Sequence, residues 1–192
     1  SAVGIKATTA FARWRREGEA VAEAAGVTIL QPGLVLADTS YGGSSLIRAL
    51  AALPFVTPVV GDGAQAFNPI HAGDLAAVAL ECLVTPPGPG EWQVGGPDTV
   101  SQTEMIRAVQ GWLGLAARPV LHLPLGLARA LGRIGDALRI GPVSATSVVQ
   151  LQAGVLADPK PLLTRIAARP RGFHSCLRVR PAGTQGLWQA RL

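Results

Sequence analysis

Apolar and polar positions along the chain change period several times, which indicates alternating helices and strands. Between residues 8 and 25 apolar residues recur every three or four positions, as on one face of a helix. Short apolar runs bounded by turn residues, such as 27–30, are typical of strands buried on both faces. The predicted helices cover 8–25, 42–53, 74–84, 101–113, 125–138, 143–156 and a last short stretch at 161–168. The predicted strands cover 27–30, 56–60, 67–71, 91–94 and 120–123.

Several helix starts carry residues that satisfy the free N–H groups of a first turn. Thr8 or Thr9 can cap the first helix, and Asp74 is expected to cap the helix over 74–84. Ser101 and Glu104 have the spacing of a capping box, in which each side chain accepts from the other's backbone N–H. These signals predict where helices begin.

The composition describes a globular chain. Of its 192 residues 48% are hydrophobic and 15% charged, and no uninterrupted apolar run approaches the ~18 residues of a membrane-spanning helix. The two cysteines show no metal-ligand spacing and are too few for a disulfide framework. We therefore expect a reducing, cytoplasmic setting and no bound metal.

The net charge of +5 is concentrated near the end of the chain. Residues 1–157 carry 10 basic and 11 acidic side chains, whereas residues 158–192 carry 7 basic and 1 acidic side chain. No aromatic interleaving or helix-turn-helix pattern accompanies this charge, so nucleic acid is not the expected partner. A basic end that faces an acidic membrane surface fits better, and would place the protein at the inner face of the membrane.

The most distinctive motif joins the first predicted helix to the first predicted strand. It reads Phe11-Ala-Arg-Trp-Arg15 in the helix and Gln31-Pro-Gly33 after the strand. This resembles the catalytic helix and next strand of the extended short-chain dehydrogenases/reductases, which read Tyr-x-x-x-Lys and Arg-Pro-Gly. Phe11, Arg15 and Gln31 stand where those enzymes carry Tyr, Lys and Arg.

The two helix substitutions remove the family's proton-transfer apparatus. Residues four apart lie on one helical face, so a Lys there lowers the pKa of the Tyr phenol, which then exchanges a proton while hydride moves. Phe11 has no ionisable proton, and Arg15 keeps a charge but cannot shuttle a proton. The resemblance thus implies a recognisable scaffold without classical alcohol–ketone chemistry.

Four further motifs follow in the order found in atypical extended members of that family. They are Val-Gly-Asp-Gly at 60–63, Asn-Pro-Ile-His-Ala-Gly-Asp-Leu-Ala at 68–76, Val-Gly-Gly-Pro-Asp at 94–98, and Ser-x-x-Glu at 101–104. The members concerned are those like the 39-kDa subunit of respiratory complex I and the sugar-nucleotide epimerase-like proteins. The segment 178–192 looks like the linker of bacterial relatives in which such a domain precedes a DoxX-like membrane domain.

The resemblance implies the C-terminal part of a doubly wound, Rossmann-like parallel sheet with a small, mostly helical substrate-side lobe. We assign residues 1–97 to the C-terminal half of the NAD(P)-binding domain, 98–170 to the lobe and 171–192 to a basic tail or linker. No Gly-x-x-Gly-x-x-Gly fingerprint for a dinucleotide pyrophosphate occurs in the chain. We therefore expect a fragment that binds no dinucleotide by itself, although its full-length parent would bind NAD(P).

The resemblance also implies which residues face the cofactor. In the family the loop corresponding to Pro32, Gly33, Leu34 and Val35 lines the nicotinamide, and Arg15 is placed to pair with a ribose hydroxyl or phosphate. The structural alternatives are a strand-ending turn for this loop, and an aromatic packed on its helix face with a solvated cation for Phe11 and Arg15.

His71 is the one candidate for a proton donor, since the equivalent segment of relatives lines the substrate cleft. It lacks a positioned carboxylate partner in the sequence, so a structural role is the alternative.

Three functions remain open from the sequence. The first is a non-classical NAD(P)-binding protein that holds the dinucleotide structurally or as a sensor. The second is an NAD(P)H-dependent oxidoreductase or epimerase-like enzyme with a non-standard proton donor such as His71 or water. The third is an accessory domain of a membrane-bound partner.

Overall fold

The computed structural model describes residues 2–3, 10–39, 43–138, 144–183 and 186–188, and only the backbone of residues 10 and 11. In chain order the elements are α1 (Ala10–Ala24), β1 (Thr28–Pro32), β2 (Val35–Leu36), α2 (Gly43–Ala52), β3 (Thr57–Val60), β4 (Ala66–Phe67), β5 (Ile70–His71), α3 (Ala72–Val84), β6 (Gly90–Val94), β7 (Val100–Ser101), α4 (Gln102–Trp112), β8 (Val120–Leu123), α5 (Leu125–Leu138), α6 (Ala145–Ala153), α7 (Lys160–Leu163) and α8 (Phe173–Arg178). Of the four strand pairs formed by the described residues, three are parallel, which confirms the predicted α/β class.

The chain forms two compact units, each built from separated segments. Unit 1 comprises residues 1–36, 68–99 and 155–176, and unit 2 comprises 37–67, 100–154 and 177–192. These unit boundaries differ from the predicted ones. The assignment of 1–97 to a half domain, 98–170 to a lobe and 171–192 to a tail stays a prediction.

Unit 1 is organised around two parallel strand pairs. Strand β1 pairs with β6 in a register that runs from Thr28 opposite Gly90 to Pro32 opposite Val94, and β2 pairs with β5. Burial alternates along β1 between half-buried and buried positions, so one face of this strand is covered less completely than the predicted burial on both faces. A cluster of six buried residues lies in the core of the unit: Ile70, Val78, Cys82, Val94, Leu162 and Ile166.

The described residues of unit 2 include one parallel and one antiparallel strand pair together with helices α2, α4, α5 and α6. Strand β3 pairs with β8 in parallel, and β4 pairs with β7 in antiparallel orientation. Helix α2 packs on α4, and α5 packs on α6. Met105 and Ile106 of α4 are among the fully buried side chains of this unit.

One predicted helix start is confirmed by hydrogen bonds, and one predicted helix end is marked by a glycine with positive φ. Ser101 caps α4 by accepting from the backbone N–H of Glu104, and the Glu104 carboxylate accepts from the Ser101 N–H at 2.7 Å. Gly26 follows α1 with a φ of 67°, a left-handed conformation that glycine adopts without strain. The predicted caps Thr8 and Thr9 lie outside the described residues.

The predicted cap at Asp74 is wrong. Helix α3 begins earlier, and His71 is its N-cap, since the His71 Nδ1 accepts from the Gly73 N–H at 3.1 Å. An acidic residue near a helix start need not be the cap, because the helix dipole also stabilises an acid within the first turn, where Asp74 lies.

Three other predicted elements differ in extent. The strand expected over 67–71 is two short strands, because Asn68 and Pro69 interrupt it and proline has no N–H for a ladder. Helix α6 ends before Gly154, whose φ is 69°, rather than running to 156. Helix α7 ends at Leu163 instead of continuing to 168.

Candidate functional site

The predicted cofactor loop leaves the carboxyl end of β1 directly beside β6. Pro32 ends β1, and the Gly33 N–H donates to the Val94 carbonyl at 2.8 Å. The Leu34 carbonyl then accepts from the Ile70 N–H at 2.9 Å, so the loop joins the β1–β6 pair to the β2–β5 pair. In parallel sheets the carboxyl edge is where ligands bind, which is the position occupied by this loop.

A buried asparagine fixes the segment that faces this loop. The Asn68 side chain is 4% exposed, its Nδ2 donates to the Ala157 carbonyl at 2.8 Å, and its Oδ1 accepts from the Ala157 N–H at 2.8 Å. These two hydrogen bonds satisfy both polar atoms of the Asn68 side-chain amide, as pairing with the backbone of a neighbouring strand would. Asn68 therefore ties the start of the His71 segment to residues near 157.

The turn after β6 approaches this asparagine so closely that it needs glycine. A Cβ on Gly95 would lie 2.5 Å from Asn68 Nδ2, and a Cβ on Gly96 would overlap the Pro69 carbonyl oxygen. The Gly33 position is less restricted, since a Cβ there would meet Asn68 Oδ1 at an ordinary 3.5 Å. Gly95 and Gly96 are thus required for packing at this edge.

The structure places Arg15 on helix α1. It lines a shallow groove of about 240 Å³ together with Trp14, Gly18, Glu19, Ala22 and Ile29. None of residues 32–35 lines this groove. The Glu19 Oε1 accepts from the buried Gln31 side chain at 3.1 Å, which connects α1 to β1. Phe11 belongs to α1, but its side chain is outside the described part of the structure.

His71 is half-buried at the start of α3, beside an ion pair. Its Nδ1 accepts a hydrogen bond, so the neutral ring carries its proton on Nε2. Three residues further on, Asp74 Oδ1 accepts from Arg171 Nε at 2.9 Å and from Arg171 Nη2 at 2.6 Å. The hydrogen bonds that Arg171 donates to the Asp74 carboxylate raise the pKa of the Arg171 guanidinium.

Two more carboxylates hold the C-terminal part of unit 1. Glu81 accepts from the backbone N–H groups of Ala167 and Ala168, and Asp98 accepts from the Phe173 N–H at 2.8 Å. Burial, followed by the nearby Asp74, raises the pKa of the Cys176 thiol. The predicted basic end is therefore folded over much of its length, as its buried residues Leu162, Ile166, Phe173 and Cys176 also show.

Unit 2 contains a separate cavity that no sequence motif predicted. It measures about 350 Å³ and is lined mainly by Asp38, Trp112 and Arg180 with residues 181–183. The Trp112 Nε1 donates to the Arg180 carbonyl at 2.8 Å, and Arg180 Nη1 lies 3.3 Å from Asp38 Oδ2. Buried Arg48 stacks on the Trp112 ring, and its pKa is lowered by burial against the opposing effect of Asp38.

Sequence reasoning missed Asn68, Glu81 and Asp98. Asn68 had a usable signal, because a polar residue before proline in an apolar stretch either forms a turn or needs a buried partner. Asp98 ends the motif at 94–98, whereas Glu81 belongs to no motif. The partners of both carboxylates are backbone N–H groups more than 70 residues away, which the sequence does not indicate.

Comparison with known proteins shows a likeness of structure without a matching sequence. No protein-family profile and no curated protein matches the chain. Among solved structures it matches an NAD-dependent NDP-hexosamine 5,6-dehydratase of tunicamycin biosynthesis at 20% identity and a TM-score of 0.62, over 97% of this chain and 56% of that one. It also matches the UDP-glucuronic acid 4-epimerase of Bacillus cereus, in complex with UDP-glucuronic acid and NAD, at 16% identity and a TM-score of 0.60, over 93% and 52%. A human epimerase family protein with NADPH matches at 22% identity and a TM-score of 0.50, over 72% and 42%.

The fold is thus the Rossmann-like α/β fold of nucleotide-dependent epimerases and dehydratases, which confirms the fold implied by the sequence resemblance. The chain spans about half the length of these structures. Across the described ranges, no helix is both long and apolar enough to cross a membrane.

Proposed function

We propose that this chain belongs to a longer, non-classical NAD(P)-binding protein in which the dinucleotide is held structurally or as a sensor. The observation that carries this proposal is the loop Pro32–Val35 at the carboxyl edge of the parallel β1–β6 pair, held opposite the buried Asn68. Phe11 and Arg15 in place of Tyr and Lys argue against ordinary dehydrogenase chemistry.

The residues present fit only part of a dinucleotide. Pro32, Gly33, Leu34 and Val35 are all half-buried, so part of their surface is accessible to a ligand at the strand ends. The pyrophosphate needs a glycine-rich turn at a helix N-terminus, and the sequence contains no such fingerprint. A bound nicotinamide would supply or accept hydride, whereas the residues proposed to contact it contribute orientation and no proton.

The first test compares the 192-residue chain with the longer protein that contains it. Isothermal titration with NAD⁺, NADH and NADPH should give micromolar binding for the longer protein and weak or no binding for the chain alone. Micromolar binding by the chain alone would require a cofactor site built only from the loops after β1 and β6. That result would contradict our proposal that the pyrophosphate part of the site lies outside these 192 residues.

A reductase that takes its proton from His71 is the second candidate. The observation that supports this candidate is the hydrogen bond between His71 Nδ1 and the Gly73 N–H. Because this bond occupies Nδ1, the neutral ring keeps its proton on Nε2, which can act as a donor. Asparagine also caps helices well, so His71→Asn should keep α3 intact and remove the imidazole. Oxidation of NAD(P)H with carbonyl acceptors that disappears in this variant would favour the second candidate over the first.

A further inference from the structure

Helix α5 of unit 2 exposes a row of large apolar side chains on a face that does not pack against the rest of the unit. Leu127, Leu131, Ile134 and Leu138 recur at helical spacing and are 50%, 43%, 53% and 64% exposed. We call these four residues the α5 row. A run of four half-exposed aliphatic side chains on one helix face is unusual for a surface without a partner.

Small residues on a neighbouring face of α5 make its contact with α6. Ala128, Gly132 and Gly135 are buried, and a Cβ on Gly132 would lie 2.9 Å from backbone atoms of Ala145. The helices therefore approach closely through these small residues. The large residues that usually anchor an amphipathic helix to its own core are the ones left exposed.

The charge of the molecule is concentrated in the same unit. The segments of unit 2 carry 9 basic and 4 acidic residues, whereas those of unit 1 carry 8 of each, so the whole net charge of +5 belongs to unit 2. On α5 itself Arg129 and Arg133 are exposed, and the Arg129 Nη2 donates to Gln152 Oε1 at 3.3 Å. The one acid of α5, Asp136, accepts from the Ala145 N–H at 3.0 Å.

We propose that the α5 row docks unit 2 onto the surface of an anionic lipid membrane. An amphipathic helix with arginines outside its apolar face inserts that face into the boundary between headgroups and acyl chains, and positive charge attracts it to acidic lipids. This inference rests on α5 and on the charge of unit 2, and is independent of dinucleotide binding.

A second copy of the chain fits this surface less well than lipid does. Two copies of unit 2 would bring like charges together. Four half-exposed side chains also bury only on the order of 200–300 Å², compared with roughly 800 Å² per partner in a stable protein interface. A lipid surface requires no shape complementarity and has the opposite charge.

Vesicle co-sedimentation of the 192-residue chain tests the proposal. The probes are vesicles of phosphatidylcholine alone and of phosphatidylcholine with about 30% phosphatidylserine. We expect binding to the anionic vesicles only, weakened by salt as the Debye length falls to about 3 Å at ~1 M. The double variant L131Q/I134Q should lower the partition coefficient about tenfold or more, because two apolar contacts with the bilayer are lost.

The matched control is L80Q/L83Q on α3 of unit 1, where the replaced side chains are 64% and 80% exposed. It should bind as the unchanged chain does, and circular dichroism should show all variants folded. Equal binding to neutral and anionic vesicles, no binding at low salt, or an equal loss in both double variants would overturn the proposal. So would a dimer in solution that dissociates in L131Q/I134Q, because the α5 row would then be an interface between copies.

Discussion

At the scale of single residues, the structure of the loops at the carboxyl edge of β1 and β6 depends on side chains that form hydrogen bonds with the backbone and not with a ligand. Asn68 satisfies both polar groups of Ala157, and the glycines after β6 allow the close approach. Such contacts orient a loop without taking part in chemistry. The proposed cofactor loop is therefore positioned by residues outside the family's catalytic motif.

Replacing Asn68 should destabilise the chain strongly. Asn68→Ala removes two hydrogen bonds and leaves a buried N–H and carbonyl at Ala157, which we expect to lower the free energy of unfolding by about 2–4 kcal/mol. The control is Gln93→Ala, because the Gln93 side chain accepts only one bond, from the exposed Asp158 N–H at 2.7 Å. It should cost about 0.5–1.5 kcal/mol in urea denaturation. Equal losses in the two variants would contradict the role given to Asn68.

The buried thiol Cys176 should be unreactive in the native chain. Its pKa is raised above the ordinary 9.0, mainly by burial, so the folded state favours the protonated thiol. In the variant C82A, where Cys176 is the remaining cysteine, iodoacetamide at pH 8 should react about tenfold or more slowly with folded than with urea-unfolded protein. Comparable rates in the two states would show that the thiol is accessible.

The same shift gives a pH dependence of stability with a defined sign. Because the folded pKa of Cys176 is raised, its contribution is fully present below the ordinary pKa and is lost as pH rises above about 9 toward the folded value. The free energy of unfolding should fall over that range by more in C82A than in the cysteine-free variant C82A/C176A. Parallel pH curves for the two variants would refute the assignment.

At the scale of elements, the contact between α5 and α6 requires a glycine at position 132. Gly132→Ala places a Cβ against the backbone of Ala145, which should cost about 1–3 kcal/mol despite the roughly 1 kcal/mol by which alanine favours a helix over glycine. Gly126→Ala in the same helix meets nothing within 4 Å and should be neutral or slightly stabilising. Thermal unfolding of the two variants tests this difference, and similar melting temperatures would disprove it.

The elements that the sequence predicted well are those with local causes. The Ser101–Glu104 capping box and the helix over 125–138 depend on residues within one or two turns, and both are present. The parallel pairing was implied by the family resemblance and had no local signal of its own.

The elements that the sequence predicted less well depend on distant partners. Asp74 was expected to cap α3, but its carboxylate pairs with Arg171, 97 positions away. The strand expected over 67–71 is interrupted at Asn68 and Pro69, and the Asn68 side chain bonds Ala157, 89 positions away. Periodicity and spacing carry no information about such contacts. The exposure of the α5 row was likewise not predicted from the sequence, because an amphipathic pattern does not indicate which face of the helix is covered.

At the scale of the whole molecule, the two units differ in what they offer. Unit 1 holds the proposed cofactor loop and has balanced charge, whereas unit 2 carries the net positive charge and the exposed α5 row. This division agrees with one unit that contacts a dinucleotide and another that contacts an anionic surface. The two roles can be tested separately.

Restoring the family's proton-transfer pair should require both changes. In the longer protein Phe11→Tyr together with Arg15→Lys should be needed before oxidation of simple alcohols appears, because a phenol with a pKa near ~10 exchanges protons poorly at neutral pH unless a nearby cation lowers it. Each single variant should stay inactive in an NAD(P)H absorbance assay. Substantial turnover of simple alcohols by the unmodified protein would contradict the absence of classical chemistry.

The central claim is that a protein with this fold retains a dinucleotide without classical redox catalysis. The most direct measurement is isothermal titration of NADH and NADPH into the longer protein that we propose contains these 192 residues, followed by an absorbance assay of the same sample with alcohol and carbonyl substrates. The account predicts saturable binding of about one dinucleotide per chain and no substrate-dependent change in absorbance. A folded protein that binds neither nucleotide, or one that turns over simple alcohols, would contradict it.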